Sequence, residues 1–325
     1  MPCFTPMPGW RATTPNKNGK YPVRMGARGG EASPAGPGSR LLLPCGQCHG
    51  CRLERSRQWA IRCVHESKLY EKNCFVTLTY KDEFLRKTDS GLATLRKRDI
   101  QLFIKRLRRR HGNGIRYYYC GEYGDKYGRP HYHLCLFNFE FANKIKTETN
   151  SAGHQYWESE ELNELWSDPQ TKQNYGKANI SELNFETAAY VARYVMKKLT
   201  GKRKDEYLGR QPEFTDMSRK GGIGKGWYDQ WSRDVWNTDS VNMNGLEMKP
   251  PKYYYRRYEI EYPEDYKKLK EKKAKNVDKK WEKEIHRKHK NMTEVAKANH
   301  EILKCKKRHS EITTKQNLVR KYENG

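Results

Sequence analysis

The chain is 325 residues long and carries 65 Lys and Arg against 39 Asp and Glu, a formal net charge of +26. Such a length holds one or two domains, and such a charge makes nucleic acid the default partner. An anionic membrane is the rival, yet no segment approaches the roughly 20 apolar residues of a spanning helix, and a mean hydropathy of −1.11 argues against a membrane protein.

Residues 1–44 are rich in Gly, Pro and Arg, as in Ser33-Pro34-Ala35-Gly36-Pro37-Gly38, and show no sustained periodicity. They read as a separate, largely mobile segment. Met1-Pro2-Cys3-Phe4-Thr5-Pro6 has neither the basic region nor the apolar core of a secretory signal, so a reducing compartment is expected. Nine cysteines, an odd number, fit free thiols and a metal cluster better than a disulfide framework. Three of them, in Cys45-Gly46-Gln47-Cys48-His49-Gly50-Cys51, have the spacing of a metal knuckle. The functional reading is a structural Zn²⁺ completed by Cys3, His49 or His65; the plain reading is three reduced thiols in a tight loop.

Residues 52–72 interleave Trp59, Ile61, Cys63, Val64 and Leu69 with charges at helical spacing. Residues 74–80 are rich in strand formers, and 95–110 set Ile100, Phe103, Ile104 and Leu107 on one stripe, giving a strand and then an amphipathic helix. Two further strands, 115–122 and 131–139, flank the turn Gly124-Asp125-Lys126-Tyr127-Gly128, a hairpin signal. A helix at 158–166, a strand at 178–183 and a helix at 186–199 capped by Asn184 complete the order β-α-β-β-α-β-α. This is the split-βαβ, ferredoxin-like order of an α+β protein with an added helix. It predicts an antiparallel sheet with helices on one face, leaving the other free for a ligand. Residues 200–250 read as loops, densest in glycine at Gly221-Gly222-Ile223-Gly224-Lys225-Gly226. From about residue 253, Lys, Glu and Tyr dominate, as expected of an exposed helix or a partly disordered tail. The segments are thus 1–44, 45–230 with the Cys cluster at its start, and a basic linker and tail at 231–325.

The most specific signal is Gly128-Arg129-Pro130-His131-Tyr132-His133. On a strand, His131 and His133 project together while Tyr132 enters the opposite layer. Across the hairpin, Glu122 falls on the same face near the turn and is the third candidate ligand. Imidazole with carboxylate suits Mg²⁺ or Mn²⁺, though Zn²⁺ would also accept the histidines. Two surface histidines flanking a turn are the plain alternative. Downstream, Tyr190 and Tyr194 lie four apart in Ala188-Ala189-Tyr190-Val191-Ala192-Arg193-Tyr194, so a helix places both phenols on one face. In a chain with 22 tyrosines such a pair is commonly packing. Beside a metal site it reads as a pair of nucleophiles for a phosphodiester, with Lys197 near the same face to hold a phosphate oxygen. The glycine run could cradle phosphate with backbone amides or be a plain loop. It is not a nucleotide P-loop, because no Gly-Lys-Ser/Thr follows at the required spacing.

Three motifs in order, Phe75-Val76-Thr77-Leu78-Thr79-Tyr80, His131-Tyr132-His133 and Tyr190-Val191-Ala192-Arg193-Tyr194, resemble those of the HUH endonucleases. The pattern is closest to the replication initiation proteins of microvirus- and gokushovirus-type single-stranded DNA phages, over residues 45–230. The resemblance implies a nickase and strand transferase of rolling-circle replication. Such an enzyme cuts the origin, holds the 5′ phosphate on a tyrosine, leaves a 3′ hydroxyl to prime synthesis and later circularises the displaced strand, with Tyr190 and Tyr194 alternating. It further implies single-stranded and origin duplex DNA as substrates, a host helicase and polymerase as partners, and the host bacterial cytoplasm as location. A non-catalytic nucleic-acid-binding protein with a zinc knuckle, and a relaxase or transposase of the same fold, are the competing readings.

Overall fold

A computed structural model of the chain describes residues 3–12, 14–15, 22–25, 40–124, 127–149, 153, 155–194 and 205–288. It divides into two compact units, one of residues 1–54 with 256–325 and one of residues 55–255.

In the first unit, strands β1 (Met7–Arg11), β2 (Val23–Met25) and β3 (Arg40–Leu43) form an antiparallel sheet of order β2-β1-β3. Within segment 1–44 the described residues thus include strands that the sequence pattern does not show. Pro8 and Gly9 lie within β1 and break its local pattern, so only the cross-strand pairing reveals it. Helix α1 (His49–Ser67) begins here and continues into the second unit.

The second unit is built on a seven-stranded sheet. Its elements in chain order are β4 (Asn73–Leu78), α2 (Lys97–His111), β5 (Arg116–Tyr123), β6 (Pro130–Phe137), β7 (Ile145–Thr149), β8 (Gln155–Glu158), α3 (Glu160–Leu165), β9 (Ala178–Ser181), α4 (Phe185–Tyr194) and β10 (Phe214–Met217). Strand order is β10-β5-β6-β4-β9-β8-β7, every neighbour antiparallel. The inner four, β5-β6-β4-β9, are the ferredoxin-like arrangement that the sequence order predicts. Both helices of that motif lie on one face. Ile100, Phe103, Ile104 and Leu107 of α2, with Leu162 and Leu165 of α3, join Val76, Leu134 and Ile180 in one core.

The opposite face is not free. Ala60 and Cys63 of α1 and Ala188, Val191 and Ala192 of α4 cover Phe75, Tyr118, Cys135 and Phe137 there. Buried on both faces, β6 is closed to solvent along almost its whole length. The far side of α1 contributes Ile61 to a third core with Val235, Val241 and Met243.

Those last residues belong to elements that the loop reading of 200–250 did not contain: α5 (Lys225–Thr238) and the hairpin β11 (Val241–Met243) with β12 (Leu246–Met248). The glycine run at the start of α5, and its aromatics Trp227, Tyr228, Trp231 and Trp236, weak helix formers, hide this helix from local propensity. Helices α6 (Lys252–Glu261) and α7 (Pro263–Lys288) show the basic tail to be helical as far as Lys288.

Tyr132, between the two histidines, points into the opposite layer as alternation requires and is fully buried. Its phenol oxygen accepts the Arg96 N–H at 2.9 Å and lies 3.1 Å from the Tyr80 hydroxyl, which donates to Asp99 at 2.7 Å. These bonds lock the register of β6, and with it the direction of both histidines. Tyr132→Phe is expected to cost about 1–2 kcal/mol by orphaning the Arg96 N–H. The check is a lower urea midpoint at unchanged m-value.

Candidate active site

The hairpin of β5 and β6 places the two histidines by register. Glu122 is opposite His131, Cys120 is opposite His133, and on the other neighbour Thr77 is opposite His133. Histidines, Glu122 and Thr77 therefore share the face that α1 and α4 cover. Gly124 opens the turn, where a Cβ would stand 2.9 Å from the His131 ring, so only glycine lets the backbone lie against that imidazole.

His131 Nδ1 lies 2.7 Å from the Arg129 carbonyl. A carbonyl only accepts, so Nδ1 carries the proton and Nε2 holds the lone pair. Burial, and then the neighbouring His133, push this imidazole below its usual pKa, toward the neutral form that binds metals. His133 and Glu122 are 6% and 2% exposed, and His133 Nε2 is 2.9 Å from Glu122 Oε1. A carboxylate in so dry a place is held by a charged or protic partner, here the imidazole. His133 Nδ1 meets the Thr77 hydroxyl at 3.0 Å. A hydroxyl can donate or accept, so it serves either tautomer of His133 and fixes the ring plane.

The two imidazole rings are nearly parallel, 8° between planes, with centroids 6.4 Å apart. The site offers an Nε2 lone pair on His131, an Nε2 on His133 and a buried carboxylate between neighbouring strands. That donor set fits one hard or borderline divalent ion once the His133–Glu122 hydrogen bond gives way to coordination. Among the described residues, the set whose ligand atoms already lie within 4.8 Å of one another is a different one, Cys3, Cys45, Cys48 and Cys51.

Helix α4 brings Tyr190 to the histidines. Its start is fixed by reciprocal capping, with Thr187 N–H donating to Asn184 Oδ1 and Asn184 N–H donating to Thr187 Oγ1, both at 2.9 Å. Asn184 is thus the cap that the sequence indicates. Ala188, Val191 and Ala192 bury one side of α4 against the sheet. Tyr190, half-buried, meets the His133 ring edge-on at 5.0 Å between centroids and 88° between planes. Tyr194 closes α4, one helical turn further on; its side chain and all of Lys197 lie outside the described residues.

Of the three candidate partners for the cysteine knuckle, the structure selects Cys3. His65 is instead buried in the second unit, stacked on Trp227 at 3.5 Å with Nδ1 2.8 Å from the Tyr254 hydroxyl. The glycine run meets no free space for phosphate at Gly224, whose N–H donates to the buried Glu66 carboxylate at 2.6 Å. Arg116 pairs with the same carboxylate and donates to the Gly222 carbonyl at 2.7 Å. Thr77 is the residue that motif reading missed as a participant; its signal was the strand register between β4 and β6.

A ferredoxin-like sheet thus carries a His-x-His pair with His133 buried, a facing Glu and a helix-borne Tyr on one face. Residues 73–199 match the family described as replication-associated protein ORF2/G2P. The chain is 37% identical over 233 residues to replication-associated protein ORF2 of Spiroplasma virus 4, covering 69% of this chain and 70% of that protein. It is 35% identical over the same length and coverage to replication-associated protein VP4 of Bdellovibrio phage phiMH2K. To replication-associated protein ORF4 of Chlamydia phage 1 it is 28% identical over 220 residues, 65% of this chain and 52% of that protein. The chain belongs to this family of replication-associated proteins. No solved structure matches it.

Proposed function

We propose that this protein initiates rolling-circle replication of a single-stranded DNA phage by nicking origin DNA with a tyrosine and later rejoining the strand. The observation that carries the reading is the Tyr190 ring against His133, in a cluster that also holds His131 and Glu122. Membership of the replication-associated family supports the initiator role.

His131, His133 and Glu122 would hold Mg²⁺ or Mn²⁺, which when bound polarises the scissile phosphate and offsets charge in its transition state. Tyr190 supplies the attacking oxygen. Its O–P bond forms as the bond to the 3′ oxygen breaks, giving a 5′-phosphotyrosine and a free 3′ hydroxyl. The phenol proton leaves to solvent and the departing 3′ oxygen takes one up, since a tyrosine with a pKa near 10 is largely protonated at neutral pH. Tyr194, one turn along α4, would make the second cut on the regenerated origin, and Lys197 would steady a phosphate oxygen. Thr77 keeps the His133 ring in plane throughout. The excess positive charge serves backbone phosphates on single-stranded and duplex origin DNA. No described helix is long and apolar enough to cross a membrane. The initiator would act in the host cytoplasm beside a host helicase and polymerase.

The test is incubation with 5′- or 3′-labelled single-stranded origin DNA and Mn²⁺. A denaturing gel should show a protein–DNA adduct bearing the label 3′ of the nick, absent with chelator. Salt-sensitive DNA binding without any adduct favours the non-catalytic reading instead.

A further inference from the structure

Nothing in the nicking chemistry uses Cys3, Cys45, Cys48 and Cys51, yet the first unit gathers them. Their four sulfurs lie within 4.8 Å of one another. Cys3 Sγ stands 3.7 Å from Cys45 Sγ and 3.8 Å from Cys48 Sγ. A tetrahedral Zn²⁺ with Zn–S bonds of about 2.3 Å sets its sulfurs about 3.8 Å apart along each edge. The spacing is far too long for a disulfide, whose sulfurs sit at about 2.05 Å. A multi-iron cluster places its irons between the thiolates and needs them further apart than these.

Backbone and hydroxyl donors are also aimed at the sulfurs. Cys48 N–H points to Cys45 Sγ at 3.2 Å, Phe4 N–H to Cys48 Sγ at 3.2 Å and Cys45 N–H to Cys3 Sγ at 3.3 Å. The Thr5 hydroxyl adds a contact to Cys45 Sγ at 3.3 Å. Such donors are weakly rewarded by neutral thiols and strongly by thiolates, whose excess negative charge around a divalent ion they spread. Gly46, at φ 75°, makes the left-handed turn that brings the Cys48 amide under the Cys45 sulfur. Cys51 lies in the first turn of α1.

We infer that Cys3, Cys45, Cys48 and Cys51 bind one structural Zn²⁺ that clasps the start of the chain to the first turn of α1. Four thiolates fill the tetrahedron and leave no position for water or substrate, so the site is structural and not catalytic. The need for it is physical. The three-stranded sheet has strands of three to five residues, and Cys3, Phe4, Ala12 and Cys51 are the described buried hydrophobic residues of segment 1–54. So small a core folds with the help of a metal.

The full chain, purified without added metal and dialysed, should carry one zinc per molecule, released in step with titration of its thiols by a mercurial. Cys3→Ser should reduce retained zinc by at least about 10-fold. Because that variant could fail to fold, the same site is read in the wild-type chain after chelation and addition of Co²⁺. Intense sulfur-to-cobalt charge transfer with tetrahedral d–d bands is expected. Folded protein free of zinc, iron in its place, or a weak octahedral Co²⁺ spectrum overturns the inference. None of these readouts depends on nicking, so its outcome and that of the tyrosine mechanism are separable.

Discussion

Replacing either His131 or His133 by Ala is expected to reduce origin cleavage by at least about 10²-fold in Mn²⁺ while leaving salt-sensitive DNA binding in place. The two activities separate because they rest on different groups. The DNA affinity expected of this chain rests on its formal net charge of +26, each phosphate contact contributing to the salt dependence. Cleavage, in the proposed mechanism, depends on the small set on the α1/α4 face of the sheet. His133→Ala also strips the buried Glu122 of its imidazole partner at 2.9 Å, so some loss of stability should accompany the loss of rate. His131→Ala does not, since that ring bonds a turn carbonyl; it is the cleaner test. Thermal melts on both variants separate the effects. Full cleavage by the His131→Ala, His133→Ala double variant would remove the metal site from the mechanism.

The parts of this site that could be read in the chain are those set by local rules. Alternation along β6 put His131 and His133 on one face and Tyr132 on the other, and the hairpin turn fixed Glu122 opposite His131. The 3.6-residue stripe of α2 and the Asn184 cap of α4 are local too. What escaped depends on contacts between distant residues. Thr77 meets His133 because β4 pairs with β6 across a helical crossover, and no turn chemistry states that register. Cys3 lies 42 residues before Cys45, and spacing alone could not choose it over His49 or His65. The covering of the second sheet face follows from where α1 and α4 dock, since an amphipathic helix announces that it has a buried side but not which surface receives it. α5 escaped for the opposite reason, its glycines and tryptophans arguing locally against a helix that the third core stabilises.

The pair of tyrosines gives the sharpest discrimination between catalysis and packing, because Tyr→Phe removes one oxygen and keeps the ring. Tyr190 packs at the edge of the sheet–helix core and lies edge-on to His133. If packing were its whole role, Tyr190→Phe would leave cleavage within a few-fold of wild type. As a nucleophile it loses its attacking oxygen, and the expected result is a large fall in adduct carried by this residue. A first cut needs one nucleophile, so with Tyr194 one turn further along α4 at least one single variant should still form an adduct. Circularisation needs two, since a tyrosine already esterified to DNA cannot cut again until that ester is resolved. Each single variant should therefore be more impaired in circle formation than in the first nick, and the Tyr190→Phe, Tyr194→Phe double variant should form neither adduct nor circles. Mapping the labelled peptide after proteolysis of the wild-type adduct identifies the attached residue directly. A double Phe variant that still nicks and closes origin DNA would leave both phenols as packing groups and require another nucleophile. Loss of both activities with an unchanged melting temperature places the chemistry on α4.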